Sequence, residues 1–482
     1  MKKFLQPTTQ DAFRLLLCCW LFMPFALKGQ TDSTKILPPE MYLSIIKKYH
    51  PLAKQADLLS EQAKADLRIA RGGFDPILHA DYDRKEFSGK NYYSFFNSEL
   101  KIPAWYGIEV KTGYDYYYGI NINPENNLPD NGMYFLGISV PLLKSMLMDK
   151  KRAALMDAKL FVKATEQERL LLLNELLFDA LQTYYNWCEA EQIKTIYQNA
   201  LRVAEIRYKA TVRVFQLGDR PAIDTTEALA QFQQRQFQLN EANLSVQKSK
   251  FLLSNFLWTE NGDSYLLPAD IRPIEVDSQY THPSLTAPLE SIEQISALIS
   301  QQHPSMSMYD IKLQQLALER RLKKEDLKPT LNVNYNLLSP GFFSYISPDN
   351  RIFSNYYKIG VNFSMPLTFA QGRAELSKNT IKTKSVQADR VLKQRELETK
   401  LMTVYAEMVQ LKEQIALFRA TYGNYLQLYK GEARRLELGE SNLFLVNTRE
   451  NTAITSEQKL TELYIKYVVT EAKMKWIMAT LF

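Results

Sequence analysis

Residues 142–217 contain neither glycine nor proline. They are rich in Leu, Ala, Glu, Lys and Gln, the residues that lose least on entering a helix. Apolar side chains recur at helical spacing through Leu170, Leu173, Leu177, Leu181, Tyr184 and Trp187. A second stretch, 373–438, repeats the pattern with only Gly423 and Gly431 inside it. From Arg152 to Gly218, and again from Arg373 to Gly439, the chain advances 66 residues. At about 1.5 Å per residue each stretch predicts a helix of roughly 100 Å, about three times the width of a small domain. Helices of that length bury their apolar stripes only by lying along one another. With 17 Gly and 20 Pro in 482 residues, the chain has few other breaks to offer.

The two stretches belong to a longer internal correspondence. His50-Pro51 followed by Pro76 matches His303-Pro304 followed by Pro329, at an offset of 253. Asp57 and Asp310, Gln62 and Gln315, Leu78 and Leu331, and Tyr82 and Tyr335 keep that offset. Pro141-Leu142 matches Pro366-Leu367 at 225, and Arg152-Ala153-x-Leu155 matches Arg373-Ala374-x-Leu376 at 221. Leu217-Gly218-Asp219 matches Leu438-Gly439-Glu440, also at 221. An ordered set of this kind predicts two copies of one unit. The falling offset gives the first copy 28 extra residues between Tyr82 and Pro141, then four more just after Pro141.

Each long stretch ends at a glycine and restarts within a few residues, so each copy predicts an antiparallel helical hairpin with a tight turn. Pro221 is placed to open one returning helix and Ser441 to cap the other. The returning segments, 221–258 and 441–480, are shorter than their partners. By length, 304–328 completes the first and 51–71 completes the second, end to end.

Between the helices the period changes to two. Leu331, Val333, Tyr335 and Leu337 alternate with Asn332, Asn334 and Asn336, while Tyr357, Ile359, Val361, Phe363 and Met365 share a face. Copy one has 76–87, 95–102, 106–120 and 134–142 in the same style. Tyr and Phe gather here, among them Tyr92, Tyr93, Phe95, Phe96, Tyr114, Tyr116 to Tyr118, Phe342, Phe343, Tyr356 and Tyr357. The pattern fits barrel strands with aromatic girdles; the alternative is a soluble antiparallel sheet. Some four strands in the first copy and two in the second are too few for a membrane barrel, which needs about eight or more, so closure requires several chains.

Mean hydropathy is −0.29, and past residue 30 no apolar run reaches a helical membrane span. At the N-terminus, Lys2, Lys3 and Arg14 precede the apolar stretch Leu15 to Leu27, which reads as a signal peptide over 1–30. Cys18 and Cys19 fall within it, so Cys188 alone remains and no intrachain disulfide forms. The net charge of +6 drops to +3 once the four basic and one acidic residues of 1–30 are gone. With no basic block, nucleic acid is not an expected partner.

An exported two-copy chain, with strands inserted between helical hairpins of this length, resembles the outer-membrane factor family, the TolC-type efflux and secretion ducts. The resemblance runs from about Pro38 to Phe482. It rests on the two H-P starts, the exits S-V-P-L-L at 139–143 and S-M-P-L at 364–367, the R-A-x-L helix starts, and the turns Q-L-G-D-R-P-A-I-D at 216–224 and E-L-G-E-S-N-L-F-L-V-N at 437–447. It implies a mostly α, α+β fold. In it, long antiparallel hairpins form an α-barrel, and inserted strands form a shared trimeric transmembrane β-barrel. The first structural repeat would span 31–302, with strands in 76–142, a hairpin in 143–258 and a connector in 259–302. The second would span 303–482, with strands in 329–367 and a hairpin in 372–481.

The resemblance further implies an outer-membrane exit duct, extending into the periplasm, of a tripartite efflux or type I secretion system. The duct is passive, a homotrimer in outer-membrane lipid, served by a periplasmic adaptor and an inner-membrane pump. Leu217, Gly218, Asp219 and Arg220, with Leu438, Gly439, Glu440 and Ser441, would face the adaptor. Asp224 and Leu445 would lie at the tunnel constriction. Leu445 departs from the acidic residue some members carry there, which implies a partly apolar constriction. Pro141 and Pro366 would mark the strand-to-helix exits. The extra residues of copy one either add barrel strands or form a hairpin outside the barrel.

Two other readings compete. One is a periplasmic coiled-coil scaffold or adaptor with a soluble β domain, although no compact lipoyl-like or small-barrel segment is evident. The other is an exported enzyme. No H-E-x-x-H, P-loop, G-x-S-x-G or C-x-x-C motif is present, and three of the four His precede Pro. No catalytic residue, cofactor or metal site is therefore expected. Met146, Met148, Met306 and Met308 read as packing rather than as soft-metal ligands.

Overall fold

The computed structural model describes residues 35–219, 221–268, 270–277, 292–340 and 356–482. The signal segment expected at 1–30, together with Arg220, Phe342 and Phe343, lies outside them. The described residues are mostly helical, with two sheets. A short strand β1 (Lys35–Leu37) leads to α1 (Pro39–Tyr49) and α2 (Pro51–Gly72). Four strands follow: β2 (Ile77–Phe87), β3 (Lys90–Pro103), β4 (Glu109–Tyr118) and β5 (Met133–Pro141). The first hairpin is α3 (Lys150–Gln216) and α4 (Ala222–Ser254), and β6 (Ile271–Pro273) comes next. Then come α5 (Ile292–Gln302), α6 (Pro304–Glu325), β7 (Thr330–Ser339) and β8 (Tyr357–Ser364). The second hairpin is α7 (Ala370–Glu437) and α8 (Leu443–Ile477).

The breaker-free stretches fold as single helices, α3 of 67 residues and α7 of 68. Gly423 and Gly431 lie inside α7, which runs through both without a break. The helical wall is four columns wide. On one side of the mid-level the order is α4, α3, α8, α7; on the other it is α2, α3, α6, α7.

Two of these columns are broken, and the breaks correct the stacking expected from length. Segment 51–71 completes α4, not the 441–480 helix; 304–328 completes α8. The cause is the His-Pro pair. His50 caps α2, its Nδ1 accepting from the Leu52 amide at 3.1 Å, so its proton sits on Nε2, 3.2 Å from the Asn255 carbonyl oxygen just past α4. His303 repeats this on α6, accepting from the Ser305 amide at 3.1 Å and donating to the Ile477 carbonyl, the last residue of α8, at 3.1 Å. One imidazole thus satisfies an orphan amide of one helix and an orphan carbonyl of the other. Length matching alone leaves both pairings open, since the segments are nearly equal.

The core lies at the level of these joints. Tyr184, Trp187, Cys188 and Leu177 of α3 are fully buried, packed with Tyr42 and Ile46 of α1, Val404 and Met408 of α7, and Tyr467 and Val468 of α8. The Tyr184 hydroxyl donates to the Leu37 carbonyl at 2.6 Å and accepts from the Ile274 amide at 3.3 Å. That bond pair fixes the parallel β1–β6 ribbon to α3. Cys188 is the free thiol here, and burial pushes its pKa up, so it packs as a small hydrophobe.

The second sheet is antiparallel and ordered β2-β3-β4-β5-β7-β8. The period-two pattern is realised on one continuous pair of faces. Val110, Ile138, Tyr335 and Ile359 pair in sequence across four strands, as do Thr112, Leu136, Leu337 and Tyr357. On the opposite face Lys111, Gly137, Asn336 and Lys358 pair likewise. The 28 residues by which the first half exceeds the second after Tyr82 supply β3 and β4, which pair in order between β2 and β5 and so widen this sheet. Among the described residues no α-helix lies along either face, and none is long and apolar enough to cross a membrane.

Candidate functional site at the helix tips

Both tip turns close in the same way. Leu217 ends α3, and Gly218 takes φ +87°, a left-handed conformation that only glycine adopts freely. The Gly218 amide then donates to the Phe215 carbonyl at 2.8 Å and the Asp219 amide to Val214 at 3.2 Å. At the other tip Gly439 takes φ +80°, with its amide on Leu436 at 3.2 Å and the Glu440 amide on Arg435 at 2.9 Å. These are two Schellman endings. The restarts differ from expectation. Pro221 stands at the N-cap of α4 rather than within its first turn. Asn442, not Ser441, caps α8, its Oδ1 accepting from the Leu445 amide at 2.9 Å. Ser441 donates instead to Glu432 on α7.

The turns are open to solvent. Leu217 is 71% exposed and Leu438 61%, although both are large and apolar. Ile223 and Phe444 stand beside them, 68% and 66% exposed. Asp219 and Glu440 are exposed, Ser441 and Asp224 half-buried, and Leu445 exposed. Arg220 lies outside the described residues. The two tips therefore offer matching apolar points beside acidic ones. Salt pairing there is between exposed side chains, Arg434 with Glu437 at 2.8 Å and Arg435 Nε with Glu440 at 3.9 Å.

Further from the tip, a buried polar cluster joins the two hairpins. Arg207 on α3 donates to both carboxylate oxygens of Glu450 on α8, at 2.7 and 3.2 Å. It also reaches Asn447 at 2.9 Å and the Tyr429 hydroxyl of α7 at 3.2 Å. Asn447 donates to Glu227 of α4 at 2.9 Å, and Arg235 of α4 to Asn451 at 3.3 Å. Glu450, Asn447 and Arg235 are buried. Burial lowers the Arg207 pKa, but hydrogen bonds to Glu450 and its charge outweigh this and hold the guanidinium above its ordinary value. Arg235 has no such partner in contact, and burial pulls its pKa down. Sequence reading missed this cluster. Its signal is present: Leu443, Val446, Asn447, Glu450, Ala453 and Ile454 all lie on the buried stripe of α8, and two of the six are polar.

The strand-to-helix exits are unlike each other. Pro141 is buried as the last residue of β5, opposite Asn332. Between it and α3 lies the four-residue insertion, held by Arg152, which is 5% exposed and donates to the Ser145 and Met146 carbonyls at 3.0 and 2.9 Å. Its guanidinium also stacks 5.2 Å from the Tyr106 ring centroid. Pro366 is exposed beyond the end of β8, and Arg373 is exposed as well. No group of His, Cys, Asp and Glu suited to a metal occurs among the described residues. What the arrangement offers is exposed apolar and acidic points at the tips and a buried ion pair between the hairpins.

No protein-family model and no curated protein matches the chain. Solved structures do. CusC, reported for conformational changes accompanying folding and transmembrane channel formation, aligns at TM-score 0.65 and 14% identity, covering 91% of each chain. The open state of the Neisseria gonorrhoeae MtrE outer membrane channel aligns at 0.63 and 13%, covering 92% of this chain and 89% of that one. The Campylobacter jejuni CmeC outer membrane channel aligns at 0.61 and 15%, covering 92% and 86%. The fold of the chain is thus that of outer-membrane channels over nearly its whole described length.

Proposed function

We propose that three copies of this chain assemble into a passive exit duct of the outer membrane, the terminal part of a tripartite efflux or type I secretion system. The observation that carries the reading is a single one. One polypeptide joins a sheet with an apolar and a polar face, both uncovered by helices, to hairpins roughly 100 Å long. A soluble β domain buries one face of its sheet in a core. Here Ile359, Val361 and Phe363 are each at least 60% exposed on a face of their own, which suits lipid. The fold shared with outer-membrane channels points the same way.

In this reading the two matched halves are copies of one unit, exported by the segment 1–30 and spanning the periplasm with their hairpins. The tips, Leu217 to Arg220 and Leu438 to Ser441, meet a periplasmic adaptor of an inner-membrane pump. Asp224 and Leu445 line the narrowest part of the tunnel, and Pro141 and Pro366 sit where barrel wall becomes helical wall. Energy comes from the partner pump.

The test is to purify the protein from outer membranes in detergent, then measure its mass and its conductance in a planar bilayer. The expected result is a three-copy particle that conducts. A water-soluble monomer without conductance overturns the duct and favours a periplasmic scaffold.

A further inference from the structure

The six-stranded sheet has two open edges, β2 and β8. Both are long, 11 and 8 residues, and exposed along nearly their whole length. Open edges are costly in water and excluded in lipid, where each unpaired amide and carbonyl costs several kcal/mol. Resting on the duct reading above, we infer that β8 of each copy pairs with β2 of the next, so that all six strands form barrel wall. Three copies of six strands then make an eighteen-stranded barrel, with no strand of this sheet left outside it.

Three observations lead there. The first is direction. Strands alternate without exception across the sheet, β2 leaving the helices and β8 returning to them. An even number of alternating strands closes head to tail with an antiparallel joint at every seam.

The second is the continuity of faces. The apolar face does not stop at β4. Ile102 lies opposite Val110, Leu100 opposite Thr112 and Phe96 opposite Tyr116; Leu78 then lies opposite Leu100 and Tyr82 opposite Phe96. The polar face runs through Glu99 and Asn97 to His79 and Asp81 in the same way. A hairpin standing in solvent has no reason to keep an apolar face in register with the barrel's. A one-residue slip at β3 would reverse both faces of β2 and β3, and the register avoids it.

The third is width. Six strands spaced about 4.8 Å and tilted about 40° cover roughly 38 Å of wall. Four helix columns at about 9–10 Å cover roughly 36–40 Å. With β2 and β3 left out, the same chain would supply only about 25 Å of barrel wall beneath an unchanged helical wall. Six strands therefore let the two walls meet without a taper. The backbone cylinder for eighteen strands is roughly 36 Å across, against about 24 Å for twelve.

Cysteine cross-linking of the whole protein in outer membranes tests this. Asp81→Cys on β2 is combined in turn with Lys358→Cys, Gly360→Cys and Asn362→Cys on β8, so that the unknown seam register does not decide the result. A second series combines Lys111→Cys on β4 with the same three. The thiol reagent spans one strand spacing but not three. Cys188 is buried and leaves the readout clean. The expected result is a ladder up to three copies in the β2–β8 series and none in the β4–β8 series. Links only in the β4–β8 series place the β2–β3 hairpin outside the wall and overturn the inference. So does an absence of links in both series from a protein that still purifies as a conducting trimer. A non-conducting monomer instead overturns the duct reading itself.

Discussion

His303 donates from Nε2 to the carbonyl oxygen of Ile477 at 3.1 Å, across 174 residues of sequence. The same ring accepts an amide on its other nitrogen, so only the neutral imidazole makes both bonds. His50 does likewise at the α4–α2 joint. Burial lowers the pKa of both, more than their carbonyl bonds raise it. The native state therefore binds fewer protons than the unfolded one, and stability rises with pH through this window. The joints contribute fully above the ordinary histidine value of 6.5 and progressively less as pH falls through and below it. Thermal unfolding at pH 7.5 and 5 should show the loss. In the double variant His50→Asn, His303→Asn the pH slope should flatten, because Asn caps without titrating, at a cost of about 1 kcal/mol per joint. An unchanged slope removes these rings from the account.

Glu450 neutralises Arg207 inside the wall, and truncating it leaves a buried charge without its counterion. Glu450→Ala should cost about 3–5 kcal/mol locally, whereas the double change Arg207→Met, Glu450→Leu should cost much less. Hydrogen exchange over 200–240 and 430–455 measures both. Faster exchange in the single variant and recovery in the double is the expected pattern. Equal exchange in the two would mean the cluster does not pin the hairpins.

Gly218 and Gly439 have no atom within 4 Å of a built Cβ, so substitution there tests backbone conformation alone. Each Gly→Ala change should destabilise its turn by about 1–2 kcal/mol through the left-handed residue. Local exchange at the tips should rise, and the yield of the proposed trimer should stay the same. A loss of trimer would place the turns in assembly rather than in tip geometry.

Leu217 and Leu438 are solvent-exposed, so Leu217→Ser with Leu438→Ser should leave the unfolding temperature of the isolated protein unchanged. If the tips dock a partner through these points, co-purification with an adaptor should fall by tenfold or more, about 1.4 kcal/mol. Retained co-purification moves the docking surface elsewhere.

Much of this architecture is legible in the sequence because its determinants are local. A 66-residue run without breakers has little choice but to be helical, and Leu-Gly-Asp and Leu-Gly-Glu announce their own turns. Alternation from Leu331 to Leu337 is a property of neighbouring residues. What stayed hidden depends on residues far apart. Arg207 and Glu450 are separated by 243 positions, and nothing near either one identifies the other. The joints followed His50 and His303 rather than segment length, because a hydrogen bond discriminates where two nearly equal lengths do not. β1 and β6 hold three residues each, too few for any periodicity to appear. Asn442 rather than Ser441 is the cap because α8, like α4, restarts from the third residue after its tip glycine, and the Ser441 hydroxyl is held by Glu432.

The joints also have a mechanical meaning. Breaks occur in alternate columns, and the uninterrupted α3 and α7 run past them, as bricks in staggered courses bridge the gaps between their neighbours. From the His303 joint to its tip, α8 is a lever of 35 residues, or roughly 50 Å. A tilt of about 5° at the joint swings the far end by roughly 4–5 Å, close to half the spacing between helices. A displacement of that size at the tips thus asks for little strain at any one hydrogen bond. What resists it is the bending of the two continuous helices, shared over tens of residues.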